Sequence, residues 1–322
     1  MKKIFTILAL AATLASCAKE DIISIDRQEI AFGDTFVDNA TRADYSTGSL
    51  AEFYVYGTVT GTAGTVNIFD GDKVTKTQQN TTDIGDTGTW WYAAADAQYW
   101  IPGADYDFAA IVDATVGTND TANGMPVTLT TQADDATEGN MNLKDMLYAS
   151  AHVEDATADQ DRVNFNFSHL LSKVKFTVTS NAMGGYYHTV TGIKIANFES
   201  GTYTIANDSW AGTTAMDVEF AEIKEVTFES GAKSNAAMLL VPNAASFNVT
   251  FTVDLYKNGT KLGTETKTIP VTIKDAQDKV VGLQKGNSYN FTIDCKVGNP
   301  IKFSVNKDQD WGWGDTTDVT IQ

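Results

Sequence analysis

Phe247-Asn248-Val249-Thr250-Phe251-Thr252-Val253-Asp254-Leu255 alternates apolar and polar side chains without a slip. That period of two belongs to a strand with one face on a core and the other in water. The stretch runs into Lys257-Asn258-Gly259-Thr260. Asn-Gly after such a run is the strongest short-range signal for a type I′ hairpin turn, because both central residues must take positive φ. Thr260 to Val271 is then the returning strand. On either side of this hairpin, Val174 to Val178 and Ser288 to Val297 alternate in the same way. In the first half, Phe53 to Val59, Val66 to Phe69, Tyr106 to Val112, Val127 to Leu129 and Leu147 to Ala151 also read as strands.

Helical periodicity is scarce and short: Ala93 to Gln98, Leu143 to Met146 and Leu170 to Lys173 are its best places. The abundance of Thr, Val, Gly, Asn and aromatic residues suits pleated surfaces and tight turns. Many short strands separated by turn residues predict an all-β fold of β-sandwiches. With 322 residues the chain is too long for one ordinary sandwich, so two are expected. The polar segment Glu154 to Asp161 marks the boundary, giving sandwiches over 43–160 and 161–322.

Composition narrows the function. With 43% hydrophobic and 20% charged residues the chain can build real cores and is not a disordered one. A net charge of −18 argues against nucleic acid and anionic membrane surfaces as partners, since both need basic patches.

The N-terminus carries its own message. Lys2 and Lys3 precede the apolar run Ile4 to Leu14, which is too short for a bilayer that takes about 20 residues to cross. Residues 1–16 therefore read as a secretory signal peptide, and Leu14-Ala15-Ser16-Cys17 as a lipobox that makes Cys17 the lipid-carrying N-terminal residue. A cysteine bearing several acyl chains holds a protein at a membrane far better than one chain does. Beyond it, Lys19-Glu20-Asp21 is charged, Ile22-Ile23-Ser24-Ile25 can pair as a strand, and Glu29 to Phe36 is another short apolar segment. Asn39-Ala40-Thr41-Arg42-Ala43-Asp44 has the composition of an exposed loop. Arg42, isolated between small residues, has the form of a trypsin-like cleavage site, although on these residues alone a solvated loop arginine is the simpler reading.

There are two cysteines, and with Cys17 lipidated Cys295 has no disulfide partner. Cys295 shares an alternating face with Phe291, Ile293 and Val297, so it is expected to be a small buried hydrophobe.

Signs of catalysis are absent from the sequence pattern. His152, His169 and His188 are the three histidines, with no His-x-x-x-His, no Cys-x-x-Cys and no nucleophile elbow. His169, beside Leu170 and Leu171, reads as a hydrogen-bonded structural histidine. The acidic residues are plentiful, and nothing singles out a glycosidase pair. Asn306-Lys307-Asp308-Gln309-Asp310 opens like a calcium loop, but its glycine falls one place late at Gly312 and Thr317 stands where a bidentate glutamate belongs. A solvated turn before Trp311 is expected there. Trp90-Trp91-Tyr92 with Tyr99-Trp100 can stack on sugars, and can equally fill a sandwich core, which is the preferred reading. No enzyme activity, metal or cofactor is expected.

These parts together resemble the fimbrillins, the lipoprotein-derived pilins of type V pili on Gram-negative gut and oral anaerobes, also described as Mfa-like or fimbrillin-A-associated proteins. The match is carried by Phe165-Asn166-Phe167-Ser168-His169-Leu170-Leu171-Ser172-Lys173-Val174-Lys175-Phe176 and by Gly201-Thr202-Tyr203-Thr204-Ile205 followed by Trp210. Leu239-Leu240-Val241-Pro242, Leu283-Gln284-Lys285-Gly286-Asn287-Ser288-Tyr289-Asn290-Phe291-Thr292-Ile293 and Trp311-Gly312-Trp313-Gly314-Asp315 extend it, and Lys19-Glu20-Asp21 resembles a surface-export signal of lipoproteins from the same bacteria.

The resemblance implies two transthyretin-like sandwiches, an outer-membrane lipoprotein precursor, and a trypsin-like protease that cuts after an arginine near the N-terminus. Arg42-Ala43 stands where the family has this cut, making 17–42 a removable leader; Arg27 is the competing site. It also implies that a C-terminal segment of a neighbouring fimbrial subunit, self or paralogue, fills the groove the leader vacates, by donor-strand exchange, with adhesion or biofilm formation as the outcome. In this chain the donor falls in the tail 297–322, with Ile301, Phe303, Val305, Val319 and Ile321 as its apolar residues. These strands can equally finish the protein's own second sandwich, as in a tip or anchor subunit. The rival reading is a permanently lipid-anchored surface lipoprotein that binds glycan through the Trp90–Trp100 aromatic cluster.

Overall fold

The structure, a computed structural model, describes residues 28–37, 48–86, 89–134, 143–221, 223, 231–275, 277–308 and 317–319. The signal peptide, Cys17, Arg27, Arg42, Ala43 and Ile321 lie outside the described residues.

Among the described residues the chain forms eighteen strands. They are β1 Phe32–Val37, β2 Glu52–Gly61, β3 Gly64–Thr75, β4 Asp105–Val112, β5 Ala114–Asn119 and β6 Pro126–Thr131. β7 Leu147–Val153, β8 Val163–His169, β9 Ser172–Ser180, β10 Tyr186–Thr204, β11 Ser209–Glu219 and β12 Gly231–Ser234 follow. The last are β13 Met238–Leu240, β14 Phe247–Lys257, β15 Thr260–Val271, β16 Ser288–Asp294, β17 Lys302–Asp308 and β18 Thr317–Val319. One 3-10 turn, Ala94–Asp96, is the only helical element among them. The all-β reading is therefore correct.

The hairpin read first from the sequence forms as expected. β14 pairs with β15 from Phe247↔Val271 to Lys257↔Thr260, with a bulge between Leu255 and Tyr256. Asn258 (φ 48°) and Gly259 (φ 83°) both sit in the left-handed region that a type I′ turn demands. Of the helical readings, Ala93 to Gln98 holds the 3-10 turn Ala94–Asp96, and the other two fail. Leu143 enters only an isolated bridge with Ala133, and Ser172 and Lys173 already belong to β9, because pairing with β13 and β16 overrides weak local periodicity.

Three sheets carry the strands. The first runs β1-β8-β7-β4-β2-β3, with β1 parallel to β8 and the other neighbours antiparallel. The second runs β15-β14-β10-β6-β5, with β11 also on β10. The third runs β12-β9-β16-β17-β18, with β13 on β9 and β9 parallel to β16. The second and third sheets share one core, in which Val249, Phe251 and Val253 of β14 meet Val174, Phe176 and Val178 of β9 and Phe291 and Ile293 of β16. The first sheet has its own core, rich in aromatic rings and closed by Trp90, Tyr92 and Trp100 from the segment before β4.

Strands cross the expected boundary at residue 160 in both directions. β8 follows it in sequence but lies in the first sheet, while β5 and β6 precede it and join the second sheet through the far end of β10 (Thr202↔Thr130, Tyr203↔Leu129). A third, smaller core of Ile111, Leu129, Met146, Leu170, Leu171, Tyr203, Leu239 and Val241 fills the junction. β10 spans 19 residues and serves both ends, which a sequence interrupted by Gly192 does not advertise.

Candidate functional site

The site is the slot that holds the chain's own N-terminal segment. Residues 28–37 run between β8 on one side and the 90–100 segment on the other. Backbone bonds tie both flanks: Val163 N–H donates to the Ala31 carbonyl at 2.9 Å, Ile30 N–H to Gln98 O at 2.8 Å and Trp100 N–H to Gln28 O at 3.0 Å. β1 is an edge strand in register Phe32↔Val163, Thr35↔Phe165, Phe36↔Asn166 and Val37↔Phe167, with a bulge between Phe32 and Thr35.

The alternation of Glu29 to Phe36 sends Ile30, Phe32 and, past the bulge, Val37 inward; Ile30 and Phe32 are fully buried. Phe36 points the other way and is 57% exposed. Phe32 is the hub of the first core. Its ring centroid lies 6.0 Å from Phe53, 5.7 Å from Phe69, 5.6 Å from Tyr92, 6.4 Å from Phe108 and 5.9 Å from Phe165. All five fall in the separation range in which aromatic pairs attract beyond their buried area. Tyr92 Oη–H donates to the Ile30 carbonyl at 2.7 Å, and burial pushes its phenol pKa well above the usual value, so it stays a neutral donor. Outside the slot, Arg162 bonds Asp86 at 2.6 Å beside Gly33 and Asn164, an exposed pair that contributes little.

The aromatic cluster is core at Trp90, Tyr92 and Trp100, while Trp91 is half-buried. Trp90, Tyr92 and Trp100 are each at most 3% exposed, so they cannot stack on a sugar as they stand; Tyr99, 39% exposed, belongs to the same stretch but faces out. Asn306-Lys307-Asp308 ends β17, because Asn306 pairs with Asn290 and Lys307 with Tyr289; Gln309, Asp310, Trp311 and Gly312, where the turn is expected, lie outside the described residues. His169 is buried and its Nδ1 lies 2.9 Å from Asp145 Oδ1, the structural role expected of it. Cys295 is fully buried, its Sγ 3.3 Å from the Thr179 carbonyl, and burial pushes the thiol up to about 11. Among the described residues no three His, Cys, Asp or Glu side chains gather to hold a metal ion.

The tail divides. β17 pairs with β16 along Ser288↔Asp308 to Asp294↔Lys302, Val305 is 1% exposed, and Ile301 and Phe303 pack against the shared core. Of the two readings the sequence left open for Ile301, Phe303 and Val305, this arrangement is the one in which they finish the protein's own sheet. Val319 pairs with Val305 in β18, a three-residue edge strand. A groove filled by the leader strand is what the resemblance implies, and the apolar character of Glu29 to Phe36 marks that strand; the residues that line the slot were not legible in the sequence.

The fold and slot define an all-β sandwich protein whose first sheet is completed at its edge by a strand from the N-terminal segment. The fimbrillin-like family model matches residues 41–309, and the chain belongs to the fimbrillin-like family. Among solved structures it is similar to a fimbrial protein from Bacteroides vulgatus, at 17% identity over 89% of this chain and 100% of that one, with a TM-score of 0.53. It also aligns with two proteins of Porphyromonas gingivalis. These are the fimbrial anchor protein Mfa2 (11% identity, 88% of this chain and 98% of that one, TM-score 0.40) and the tip fimbrial protein Mfa3 (12%, 87% and 99%, 0.40). No curated protein matches the chain.

Proposed function

We propose that the protein is a structural or accessory subunit of a cell-surface fimbria, exported as an outer-membrane lipoprotein lipidated on Cys17 and matured by cleavage between Arg42 and Ala43. The observation that carries this reading is β1, an edge strand inside the proposed leader that supplies the central ring of the first core. Family membership supports a non-enzymatic, fimbrial role, and the family match begins at residue 41, next to the proposed cut.

The energetics favour exchange. Burying Ile30, Phe32 and Val37 gains about 5–9 kcal/mol gross, at about 1.5–3 kcal/mol for each large apolar side chain. While the leader is covalently attached, this gain is opposed only by local ordering. Once it is cut, holding it also costs roughly 4–15 kcal/mol of lost translational and rotational freedom, so the strand becomes replaceable. The vacated slot exposes an aromatic trough and the free edge of β8, which an incoming strand from a neighbouring subunit fills by β-augmentation. Head-to-tail contacts of this kind do not close, and they propagate a fibre.

Because Ile301, Phe303 and Val305 pack in the protein's own core, the donor is best assigned to the end of the tail, with Val319 and Ile321 as its apolar residues. β18 is held by three residue pairs and is cheap to detach. N-terminal sequencing of protein sheared from cells tests the reading. A mature start at Ala43 is expected, and an acylated Cys17 on assembled material would refute it.

A further inference from the structure

Away from the leader slot, three segments distant in sequence converge on an open cleft of about 880 Å³. They are the β10–β11 turn with Trp210, the loop Pro242 to Ala245, and the stretch Lys279 to Asn287. The volume falls within the roughly 300–1,000 Å³ of small-molecule sites.

Its walls have a definite chemistry. Trp210 is half-buried and lies against Gly201, where an added Cβ would stand 3.1 Å from its six-membered ring. Its Nε1 is buried and bonds nothing among the described residues, so what the cleft receives from this residue is ring surface, not a donor. Asp208 is fixed beside it: Lys285 Nζ reaches its carboxylate at 2.5 Å and Tyr203 Oη–H donates to it at 2.8 Å. Burial alone would raise the Asp208 pKa, but these two bonds outweigh it and hold the carboxylate ionised. Asn243 Oδ1 accepts from Ala245 N–H at 3.0 Å, and Asn287 Nδ2 donates to Lys285 O at 2.8 Å. Each asparagine is thus oriented by one end of its amide, and the other end has no bond among the described residues.

We propose that this cleft binds a neutral saccharide, stacked on Trp210 and hydrogen-bonded through its hydroxyls by Asp208, Asn243 and Asn287. A sugar ring has an apolar C–H face and a rim of hydroxyls, which is the complement of one aromatic surface flanked by pre-oriented amides and a carboxylate. Anionic ligands are disfavoured, because Asp208 already neutralises Lys285 and the lining residues include no guanidinium, which leaves Lys279 as the one other lining cation beside a fixed carboxylate. Apolar ligands are disfavoured because they would leave these polar groups unpaired. The site is separate from the leader slot and does not depend on how the subunit is assembled.

The test is a titration of the isotope-labelled protein with maltose, cellobiose, lactose, mannobiose and chitobiose, and with glucuronate and inorganic phosphate as anionic probes. The indole N–H signals of the six tryptophans are followed, with Trp210 assigned from Trp210→Phe. At least one neutral disaccharide is expected to shift the Trp210 signal saturably. Its Kd should rise about tenfold or more in Trp210→Ala and measurably in Asn243→Ala and Asn287→Ala. Should Trp210→Ala fail to fold, the two asparagine variants decide the outcome. Absence of any shift with the neutral sugars, an undiminished affinity in the variants, or tighter binding of the anions would each overturn the proposal.

Discussion

Phe32→Ala is the substitution that most directly probes the leader slot. The side chain is fully buried and touches five aromatic rings, so its loss leaves a cavity at the centre of the first core. Truncating a buried phenylalanine costs about 3–5 kcal/mol. At about 2–4 °C per kcal/mol for a protein of this size class, the melting temperature should fall by roughly 6–20 °C. Phe36→Ala supplies the control, since it removes a 57% exposed ring from the same strand and should cost about 0.5 kcal/mol or less. Urea unfolding followed by fluorescence reports on the core, because Trp90 is buried 4.9 Å from Phe53. Hydrogen exchange supplies a local readout: the Ile30 and Val163 amides, bonded to Gln98 and Ala31, should lose protection in the Phe32 variant first. If Phe32→Ala proved no more damaging than Phe36→Ala by both readouts, the claim that the leader completes this core would be wrong.

Other outcomes follow from the same geometry. Arg42→Ala should leave a full-length, unpolymerised precursor on cells, visible as a mass shift on immunoblots; normal polymers from this variant would refute the processing step. Deleting residues from Asp318 onward should abolish elongation while leaving the melting temperature nearly unchanged, since β18 contributes only three edge pairs; unchanged fibre length would reassign the protein to a tip or anchor role. Gly259→Ala meets no atom within 4 Å, so its cost is backbone strain at φ 83° alone, about 1–2 kcal/mol by denaturant titration. The Cys295 thiol, pushed up to about 11 by burial, holds its proton more tightly folded than unfolded. Its contribution is complete below the unfolded value near ~8.5 and is lost as pH rises through about 11. Stability should decline over that window, Cys295→Ala should flatten the decline, and alkylation of the native thiol at about pH 8, below the unfolded value, should be slow.

How far the sequence could be read depended on the range of the interactions. The β14–β15 hairpin was legible to the residue because alternation and an Asn-Gly turn are decided between near neighbours in the chain. Burial of Cys295 and the structural role of His169 were legible for the same reason, each being set by its immediate surroundings in sequence. Leu143 to Met146 and Leu170 to Lys173 misled, because four residues of helical spacing carry too little preference to resist pairing with distant strands. For the aromatic stretch Trp90 to Trp100 the preferred core reading is right at Trp90, Tyr92 and Trp100, whereas Trp91 and Tyr99 stay partly exposed because the first sheet does not close over them.

The amino-acid order was enough to establish that the protein is all-β and which residues of its main hairpin face a core, since both are written in period-two alternation and local turn chemistry; the family resemblance rested instead on longer motifs and their order, such as Phe165 to Phe176 and Leu283 to Ile293. It took the folded chain to show that β1 lies parallel to β8, far along the sequence, and makes Phe32 the hub of the first core. The same holds for β17, which stays in its own sheet, and for Trp210, Asn243 and Asn287, which face one cleft. Alternation fixes which side of a strand is apolar; it does not name the partner. Partner choice is settled by the whole chain at once, through the burial that one set of pairings achieves and the others do not.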